Sequence, residues 1–535
     1  MTKSRPKDTG TAAGTDADTD AGADAGADAG TGAAAGAGAD PALACAAVQH
    51  RDDFPIAIIG AGFAGIGAAI QLIKAGIHSF TIFERADEIG GTWRDNTYPG
   101  AACDVPSHVY SLSFEQNPNW SRRYATSWEI QEYLLGVVEK HRLRERMRLN
   151  TAIVEARFDE DAGTWTLTTD GGDTFTARVV IAGVGGLVDP SYPSIEGLED
   201  FEGDMIHTAR WNHDVDLTEK RVAVVGTGAS AVQVVPAIAS IVDAMEVFQR
   251  TPAWVVPKLD RLYPKWLRRF LGRFPFFLRA SRFMKYWLSE LRGPIVFLDS
   301  TVLSKIGTYM SMWNLRRQVR DPALREKLTP DFQFGCKRVL VSDDYWAAFE
   351  RENVELVTDP ITAIERKGVR TSDGVLHEAD AVVLATGFKL GLVSAPFPVI
   401  GREGRTLDDA WNRGAVAYKG MTVAGFPNWF IMMGPNTGPG HTSVLVYTEA
   451  QITHTLGAIK KIMAENLKCM DVRQEVQDRY NDGIQKRMKR MVWKGCESWY
   501  LSDDGTNHSL YPGFAAEYVL RTRKLHPRDY EITPF

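Results

Sequence analysis

The chain has 535 residues, 44% of them apolar and 24% charged, and its formal net charge is −6. This length allows two or three domains with a sizeable core, the charge gives no reason to expect nucleic acid as a partner, and no apolar run reaches the roughly 18 residues that a membrane span needs. The five cysteines are scattered without a C-x-x-C pair, which argues against a disulfide framework, a zinc site and a dithiol redox centre and predicts a reducing, cytoplasmic location.

The first segment, residues 1–50, consists mostly of Ala, Gly, Asp and Thr. So few large apolar side chains cannot offset the entropy of ordering, and we expect this segment to be disordered. It begins with three basic residues, but no apolar stretch follows and the segment is acidic, which argues against a secretory or transit peptide.

A glycine-rich turn follows the short apolar run at 55–59, and its three glycines are Gly60, Gly62 and Gly65. A helix is predicted from Gly62 to Ala75, and a strand at 80–83 ends at Glu84, 24 residues after Gly60. An acid at this offset meets the ribose hydroxyls of an adenine dinucleotide. The alternative is a merely tight strand–helix turn. We predict a dinucleotide site and interpret it as one for FAD.

Loop residues dominate the next stretch, Gly90–Trp93 and Tyr98–Asp104. An acid in such a loop is usually only solvated, so Asp104 stands out little by itself. Beyond the loops, the pattern predicts a surface helix at 128–148 and alternating strands at 151–182 with a turn at 170–172. The last strand, 179–183, ends in glycine and predicts a hinge.

A second glycine-rich turn follows strand 222–225, with Gly226, Gly228 and Ala231 at the three fixed positions and Ser230 before the last. The partner strand ends at Arg250, which lies 24 residues after Gly226, as Glu84 does after Gly60. An arginine in place of the acid suits a 2′-phosphate by charge and by its forked donors. The alternative is a solvated strand end. We interpret this second site as one for NADPH.

The stretch Phe201–Trp211 lies between the two turns, in the crossing from one dinucleotide fold to the next. Two dinucleotides held face to face imply electron transfer between them. A strand and glycine at 380–388 repeat the pattern of 179–183, and we expect the chain to return there to the first domain.

Residues 258–330 have the composition of an insertion rich in Trp, Phe and Arg, and ten Lys or Arg stand against two acids between Lys258 and Arg292. A basic amphipathic helix could touch a membrane surface or a partner. A helical cap, with aromatics packed inward and arginines in water, is the interpretation we favour. Farther on, we expect the glycines of 434–440 near the reacting ring, His441 as a loop hydrogen-bonding residue, and a helix at 443–465.

Together these motifs resemble the type I Baeyer–Villiger monooxygenases, a group of class B flavin monooxygenases, over residues 54–535. Residues 201–211 match that group's F-x-G-x-x-x-H-x-x-x-W pattern at every fixed position. Related N- and S-oxygenating enzymes usually carry Phe or Tyr where this chain has Trp211. The resemblance implies an α/β fold with two Rossmann-like dinucleotide-binding domains and a helical insertion.

The resemblance also implies site residues. Those on FAD would be Gly60, Gly62, Gly65, Glu84 and Trp93, and those on NADPH would be Gly226, Gly228, Ser230, Arg250 and Thr251. The segment Gly335–Arg338 resembles the catalytic segment, in which Arg338 would face the flavin and Lys337 would reach the 2′-phosphate. Asp104 would hold Arg338 in place, Trp499 would close on bound NADP, and His207 would couple domain movement.

The expected domains are a disordered tail (1–50), a FAD-binding domain (51–186), an NADPH-binding domain (187–383, with the insertion at 258–330) and a return to the first domain with a closing loop (384–535). The implied reaction uses NADPH and O2 to form a flavin peroxide that converts a small-molecule ketone to an ester or lactone. Three alternatives stay open: oxygenation of sulfur or nitrogen by the same machinery, a flavin disulfide reductase, which the missing C-x-x-C speaks against, and a non-catalytic NADPH sensor. We expect no metal and no nucleic acid, and contact with a membrane through 258–292 is the less favoured reading.

Overall fold

A computed structural model of the chain describes residues 54–389, 395–495, 498, 500–502 and 504–535. The tail at 1–50 and Trp499, for which we made predictions, lie outside these residues. In the part of the chain that is described, no helix is long and apolar enough to cross a bilayer. No cluster of three or more His, Cys, Asp or Glu in that part is arranged to hold a metal ion.

The strands, in chain order, are β1 (Ile56–Ile59), β2 (Phe80–Phe83), β3 (Met147–Arg148), β4 (Ile153–Asp159), β5 (Thr164–Thr169), β6 (Thr174–Ala177), β7 (Val179–Ala182), β8 (Asp204–His207), β9 (Arg221–Val225), β10 (Ala244–Phe248), β11 (Val255–Val256), β12 (Leu340–Val341), β13 (Val354–Val357), β14 (Ile361–Glu365), β15 (Gly368–Thr371), β16 (Leu376–Glu378), β17 (Ala381–Leu384), β18 (Val399–Ile400), β19 (Trp429–Ile431), β20 (Leu467–Val472) and β21 (Tyr530–Pro534). The α-helices are α1 (Phe63–Lys74), α2 (Thr92–Asp95), α3 (Ser127–Lys140), α4 (Ala231–Ile238), α5 (Lys265–Arg273), α6 (Pro275–Phe297), α7 (Thr301–Gln318), α8 (Pro322–Lys327), α9 (Tyr345–Ala348), α10 (Leu407–Ala410), α11 (Val444–Ala464), α12 (Gln474–Met488) and α13 (Ala515–Thr522).

The first glycine turn lies in a five-stranded parallel sheet of order β19-β7-β1-β2-β3. Every residue of β1 and β7 is buried, as expected for central strands of a parallel sheet covered on both faces. Apolar residues of α1, α3 and α11 form one core with one face of the sheet. The other face shares a core with a mixed sheet of order β18-β4-β5-β6, in which only β18 and β4 pair in parallel.

The second glycine turn lies in another five-stranded parallel sheet, of order β13-β10-β9-β17-β8. Helix α4 connects β9 to β10 in a βαβ crossover, and separate apolar cores cover the two faces of the sheet. The last strand to join it is β17, after which the chain re-enters the first sheet at β19. The predicted boundary at residue 383 therefore falls one residue before the end of β17.

The helix predicted at 128–148 is shorter than expected, since α3 ends at Lys140. Arg142 adopts a positive φ of 51°, Leu143 is fully buried, and the chain then pairs Met147 of β3 with Ile82 of β2. A turn, a short 3₁₀ helix at Arg144–Arg146 and the edge strand β3 thus replace the last two turns of the predicted helix.

The segment at 258–330 folds into α5, α6, α7 and α8, as the helical prediction requires. The expected orientation of its aromatic residues is wrong. Large apolar side chains of α5, α6 and α7 point into solvent, and among the most exposed are Trp266, Phe276, Phe283 and Tyr309.

The geometry of Gly226 predicts a measurable cost of adding a methyl group. Its φ is +118°, and a Cβ there would lie 2.6 Å from the carbonyl oxygen of Ala385. We expect Gly226→Ala to lower the free energy of unfolding by about 1–3 kcal/mol, because left-handed strain and a backbone clash add. Gly136→Ala is the matched control, since nothing lies within 4 Å of a Cβ built at this position in α3. Gly136→Ala should raise the free energy of unfolding by about 0.5–1 kcal/mol. Denaturant unfolding measures both, and equal effects would contradict this account.

Candidate active site

The first glycine turn brings the chain close to itself. Gly60 has a φ of +98°, and a Cβ on Gly65 would lie 1.9 Å from the carbonyl oxygen of Gly60. Helix α1 starts directly after Gly62, and no side chain of a described residue caps its first N–H groups. Free N–H groups at a helix N-terminus attract the pyrophosphate of a dinucleotide. The three glycines therefore form a backbone cradle suited to that group.

Glu84 follows β2 and is 5% exposed. Its Oε2 accepts a hydrogen bond from Ala61 N–H at 2.9 Å, and its Oε1 accepts one from Ala86 N–H at 3.1 Å. The Oε1 atom also lies 3.0 Å from a guanidinium nitrogen of Arg94. A carboxylate offers about four acceptor positions, so these contacts orient Glu84 and leave capacity for a ribose hydroxyl.

A second loop approaches the first turn at Gly91, whose Cα lies 3.9 Å from a Cβ built on Gly62. Trp93 follows in α2, is half-buried, and donates a hydrogen bond from its indole N–H to the Tyr110 hydroxyl at 3.0 Å. The side chain is thereby fixed beside the first glycine turn. Contact between Trp93 and a cofactor stays a prediction.

The second glycine turn has the same strand–turn–helix arrangement as the first, with more open space around its middle glycine. Gly228 is exposed, and no atom of the described part of the chain lies within 4 Å of a Cβ built there. Ser230 precedes α4, and its side chain makes no capping hydrogen bond. The Thr227 hydroxyl donates to the carbonyl oxygen of Thr251 at 2.7 Å, which ties the end of the neighbouring strand to the turn. Thr251 is thus fixed beside this cradle.

Two cations predicted to bind a 2′-phosphate lie in different segments. Arg250 follows the end of β10, is exposed, and has no ion-pair partner among the residues that the structure describes. Lys337 lies with its ammonium 4.9 Å from the centre of the Phe332 ring. The structure does not bring Arg250 and Lys337 into a common contact.

Arg338 and Asp104 do meet, although 234 residues separate them in sequence. A guanidinium nitrogen of Arg338 donates to Asp104 Oδ2, and the side chains are 43% and 30% exposed. Arg338 is positioned by Leu340 of β12, whose N–H donates to Trp254 O at 2.9 Å. Asp104 is positioned by Cys103, whose N–H donates to Ala125 O at 2.9 Å just before α3. Each partner is therefore anchored by backbone pairing.

The electrostatics of this pair keep the arginine charged. The charge of Asp104 is the main cause that raises the pKa of Arg338 above its ordinary value. Burial raises the pKa of the nearby Tyr500 hydroxyl to about 12, against the opposing effect of Arg338. The site thus offers a permanent cation beside a neutral phenol. Next to Arg338, Cys336 is disulfide-bonded, which the expectation of reduced cysteines did not foresee.

Gln233 in α4 is a residue that the sequence reasoning missed. Its Oε1 accepts from the Tyr98 hydroxyl at 2.9 Å and from Ala102 N–H at 3.2 Å, and its Nε2 donates to Ala102 O at 2.9 Å. Gly100 lies between these partners, and a Cβ there would come within 2.4 Å of Gln233 O. The loop that carries Asp104 is therefore held against the helix of the second glycine turn. A glutamine within a helical pattern gives no sign of this role.

The two connections between the sheets pair with each other. Ser191 N–H donates to Gly387 O at 2.9 Å, and Lys389 N–H donates to Asp189 O at 2.8 Å. His207 is buried beside them, with Nε2 3.3 Å from the Thr386 hydroxyl. Burial lowers the pKa of His207, so it stays neutral at physiological pH. Its position supports a linker role and gives it no role as an acid.

His441 differs from its predicted role as a loop hydrogen-bonding residue. Among the residues that the structure describes, neither ring nitrogen has a hydrogen-bond partner, although Nε2 lies 3.5 Å from the carboxylate of the buried Glu290. The ring instead packs against Phe297, with 5.2 Å between the ring centres.

The fold and the site together define a two-dinucleotide oxidoreductase with a fixed arginine–carboxylate pair. A family model described as pyridine nucleotide-disulphide oxidoreductase matches residues 57–270, which include both glycine turns. The chain has no C-x-x-C pair, which that description would require for dithiol chemistry.

The chain belongs to the Baeyer–Villiger monooxygenase family. A Baeyer–Villiger monooxygenase of Pseudomonas aeruginosa is 44% identical over 494 residues, which cover 91% of this chain and 92% of the relative. Among solved structures, an oxidized steroid monooxygenase bound to NADP superposes with a TM-score of 0.80 at 29% identity, covering 90% of this chain and all of the other. OTEMO in complex with FAD and NADP has a TM-score of 0.80 at 26% identity, covering 90% and 99%. These matches confirm the predicted family and fold class.

The bonds of Gln233 predict that this residue couples the two domains. Gln233→Ala removes three hydrogen bonds, and at about 0.5–1.5 kcal/mol each we expect the free energy of unfolding to fall by about 1.5–4.5 kcal/mol. Flavin reduction by the nicotinamide cofactor should slow, with flavin content unchanged, because the loop of the first domain is no longer held against the helix of the second glycine turn. Gln474→Ala, an exposed change in α12, is the control. Anaerobic stopped-flow absorbance measures the rate, and a parental rate in Gln233→Ala would refute the coupling.

Proposed function

We propose that this chain is an NADPH- and O2-dependent flavin monooxygenase that converts a ketone to an ester or lactone, with Arg338 and Asp104 as its catalytic pair. The observation that carries the proposal is the contact between these two side chains, which joins a loop after the first glycine turn to a segment after the second. Family membership supports the reaction, since the relative in Pseudomonas aeruginosa is a Baeyer–Villiger monooxygenase.

The cofactors are FAD and NADPH. The first turn suits FAD because its glycines let the backbone approach a pyrophosphate at the start of α1, and because Glu84 has acceptor capacity for a ribose hydroxyl. Trp93 lies next to this turn, and we propose that it contacts the flavin half. OTEMO, with its bound FAD and NADP, is a structural neighbour.

The second turn suits NADPH. We propose that Gly226, Gly228, Ser230 and Thr251 surround the pyrophosphate and adjoining ribose, because the open face at Gly228 would admit them. Arg250 and Lys337 would hold the 2′-phosphate, since each is a cation without a carboxylate partner in the described chain. Trp499 would close over the nicotinamide side and exclude water, which rests on the family resemblance.

When bound at the first glycine turn, FAD would supply the redox chemistry, namely acceptance of a hydride from NADPH and activation of dioxygen. The task of this chain is to stabilise negative charge where it develops. Arg338 carries a permanent cation, as arginine does in proteins, and the charge of Asp104 raises its pKa further. A preorganised cation next to a developing oxyanion lowers the barrier, most strongly where water is excluded. The bond to Asp104 orients the guanidinium, which has five N–H donors and so keeps some of them for a carbonyl oxygen.

The substrates that the enzyme accepts distinguish oxygenation of a ketone from oxygenation of a sulfur or nitrogen atom. The direct test is to incubate the purified holoenzyme with a ketone and with a sulfide, under NADPH and air, and to identify the products by mass. Esters or lactones from linear, cyclic, aromatic or steroid-like ketones support the proposal. Sulfoxide without any ester from the whole ketone panel would overturn it in favour of the heteroatom alternative.

The exposed Arg250 predicts the choice of nicotinamide cofactor. The holoenzyme should prefer NADPH to NADH, and Arg250→Ala should weaken NADPH on the order of ten- to a hundredfold, because a charged hydrogen bond is worth roughly 1.5–3 kcal/mol. NADH lacks the phosphate and should change little. Arg351→Ala, an exposed arginine before β13, is the control. The KM of each cofactor reports the effect, and equal losses for both would show that Arg250 shapes the site without reading the phosphate.

The pair of Arg338 and Asp104 predicts a separation of two half-reactions. Flavin reduction needs both dinucleotides and no stabilised carbonyl, so Arg338→Ala should be reduced by NADPH within about tenfold of the parent. Oxygenation needs the cation, and loss of one such donor costs ~10²–10³ in rate. The variant should therefore consume NADPH, release hydrogen peroxide and form little ester. Asp104→Ala should show a weaker version of this split.

Two further variants make the test of Arg338 sharper. Arg338→Lys should recover little, because a point charge on a flexible stem does not replace a planar fork. Arg405→Ala removes an exposed arginine elsewhere and should behave as the parent. Ester formation at near-parental rate in Arg338→Ala would refute the catalytic assignment and leave the family and cofactors standing.

We propose that the protein acts in the cytoplasm. Its proposed reactants are a small-molecule ketone and O2. The scattered cysteines without a C-x-x-C pair support the location, while the disulfide at Cys336 speaks against it.

A further inference from the structure

Helix α6 has its polar face toward the protein and its apolar stripe toward solvent. Arg282 on the inner face donates to the carbonyl oxygens of His108, Val109 and Ser111, each at 2.9 Å. Lys285, almost one turn later, places its ammonium 2.9 Å from His108 Nδ1. These contacts fix the rotation of the helix. A surface helix ordinarily has the opposite orientation, with its apolar residues against the core.

The outward stripe of α6 is continuous over most of the helix. Its members recur at helical spacing and are 40–74% exposed: Phe276, Phe283, Met284, Trp287, Leu288 and Leu291. The stripe ends at an open groove of about 510 Å³ between α6 and α13, lined by Trp287, Leu291, Phe514 and Leu520 among others. A continuous row of exposed apolar side chains along one helix marks an interaction surface.

The neighbouring helices α5 and α7 also expose large apolar side chains. In α5 Trp266 is 68% exposed, and Phe270 contacts Phe277 of α6 with 5.0 Å between ring centres. In α7 the exposed residues recur at i, i+4, i+7, i+8 and i+11: Val302, Ile306, Tyr309, Met310 and Trp313. We call the exposed apolar residues of α5, α6 and α7 the aromatic face.

The charges around the aromatic face identify its occupant. The segment from Lys258 to Arg292 carries ten bases and two acids, in a chain whose net charge is −6. Both acids are withdrawn from solvent, since Glu290 is 2% exposed and Asp260 pairs with Arg122 at 2.9 Å. The exposed bases include Arg261, Lys265, Arg269, Arg273, Arg279 and Arg292. The surface therefore presents aromatic side chains among cations.

We propose that the aromatic face docks this enzyme on an anionic lipid membrane surface, with the apolar side chains at the level of the lipid head groups and the bases on lipid phosphates. Helices of this composition lie in the membrane interface, and tryptophan favours that depth. A second copy of the chain is the poorer occupant, because a symmetric contact would set cations against cations. The mode is peripheral, in keeping with the finding that no described helix could span a bilayer.

The test is sedimentation of the holoenzyme with vesicles of phosphatidylcholine alone and of phosphatidylcholine with phosphatidylglycerol at about three to one. We expect at least tenfold stronger binding to the anionic vesicles, and weaker binding at high salt, since each surface base contributes an electrostatic attraction that salt screens. Tryptophan emission should shift to the blue on binding. No binding to either vesicle, or equal binding to both, overturns the proposal.

Matched variants distinguish binding through the aromatic face from non-specific adsorption to vesicles. Trp266→Ser combined with Phe283→Ser should weaken binding to anionic vesicles on the order of tenfold or more, because two aromatic side chains lose their burial. Trp128→Ser is the control, since Trp128 of α3 is 69% exposed and Trp266 is 68% exposed. Arg269→Gln with Arg273→Gln should also weaken binding about tenfold or more, whereas Lys367→Gln with Lys460→Gln should not.

All of these substitutions are at exposed positions, and unchanged flavin absorbance and unfolding midpoints would show that the fold is intact. An equal loss of binding in Trp128→Ser or in the lysine control overturns the assignment to the aromatic face. A dimer that dissociates in sedimentation velocity on Trp266→Ser with Phe283→Ser also overturns it, because the face would then be covered by a second copy. These outcomes do not depend on ketone turnover, so the docking proposal and the proposed function fail separately.

Discussion

The structure depends on bringing the ends of two parallel sheets close enough for one side chain from each domain to share a contact. The ion pair of Arg338 and Asp104 is that contact, and neither partner works alone. Without Asp104 the Arg338 side chain would lose the carboxylate that orients it, and without Arg338 the aspartate would be an ordinary loop acid. The three bonds of Gln233 hold the aspartate loop on α4. The paired connections at Ser191 and Gly387 fix the crossing between the domains. Chemistry that needs a preorganised cation thus depends on the packing between domains.

The local parts of this arrangement could be predicted from the sequence. The glycine turns, the strands beside them, and the equal offsets of Glu84 and Arg250 all arise within about thirty residues of a βαβ unit, where spacing determines geometry. The contact of Arg338 with Asp104 spans 234 residues, and no periodicity reports it. It was reached through the resemblance of Gly335–Arg338 to a catalytic segment. No sequence pattern predicted the role of Gln233, because that role depends on the position of a loop distant in sequence.

Two errors have the same physical origin. The helix predicted to reach residue 148 ends at Lys140, because pairing of Met147 with Ile82 at the sheet edge stabilises a strand there. Propensity gives only a weak preference that tertiary contacts override. His441 was expected to be a hydrogen-bonding loop residue and instead faces the buried carboxylate of Glu290. In both cases a partner distant in sequence decided the outcome.

The orientation of α6 shows a further limit of sequence patterns. Periodicity establishes that the helix is amphipathic and leaves open which face meets the protein. The assumption that the apolar face packs inward holds when the available surface is apolar. Here the receiving surface consists of the carbonyl oxygens of His108, Val109 and Ser111, which need donors, and Arg282 supplies them. Buried backbone acceptors without partners would cost roughly 1–3 kcal/mol each, so satisfying three of them favours the polar face inward. The apolar stripe is then left in solvent, a cost that a further binding surface would relieve.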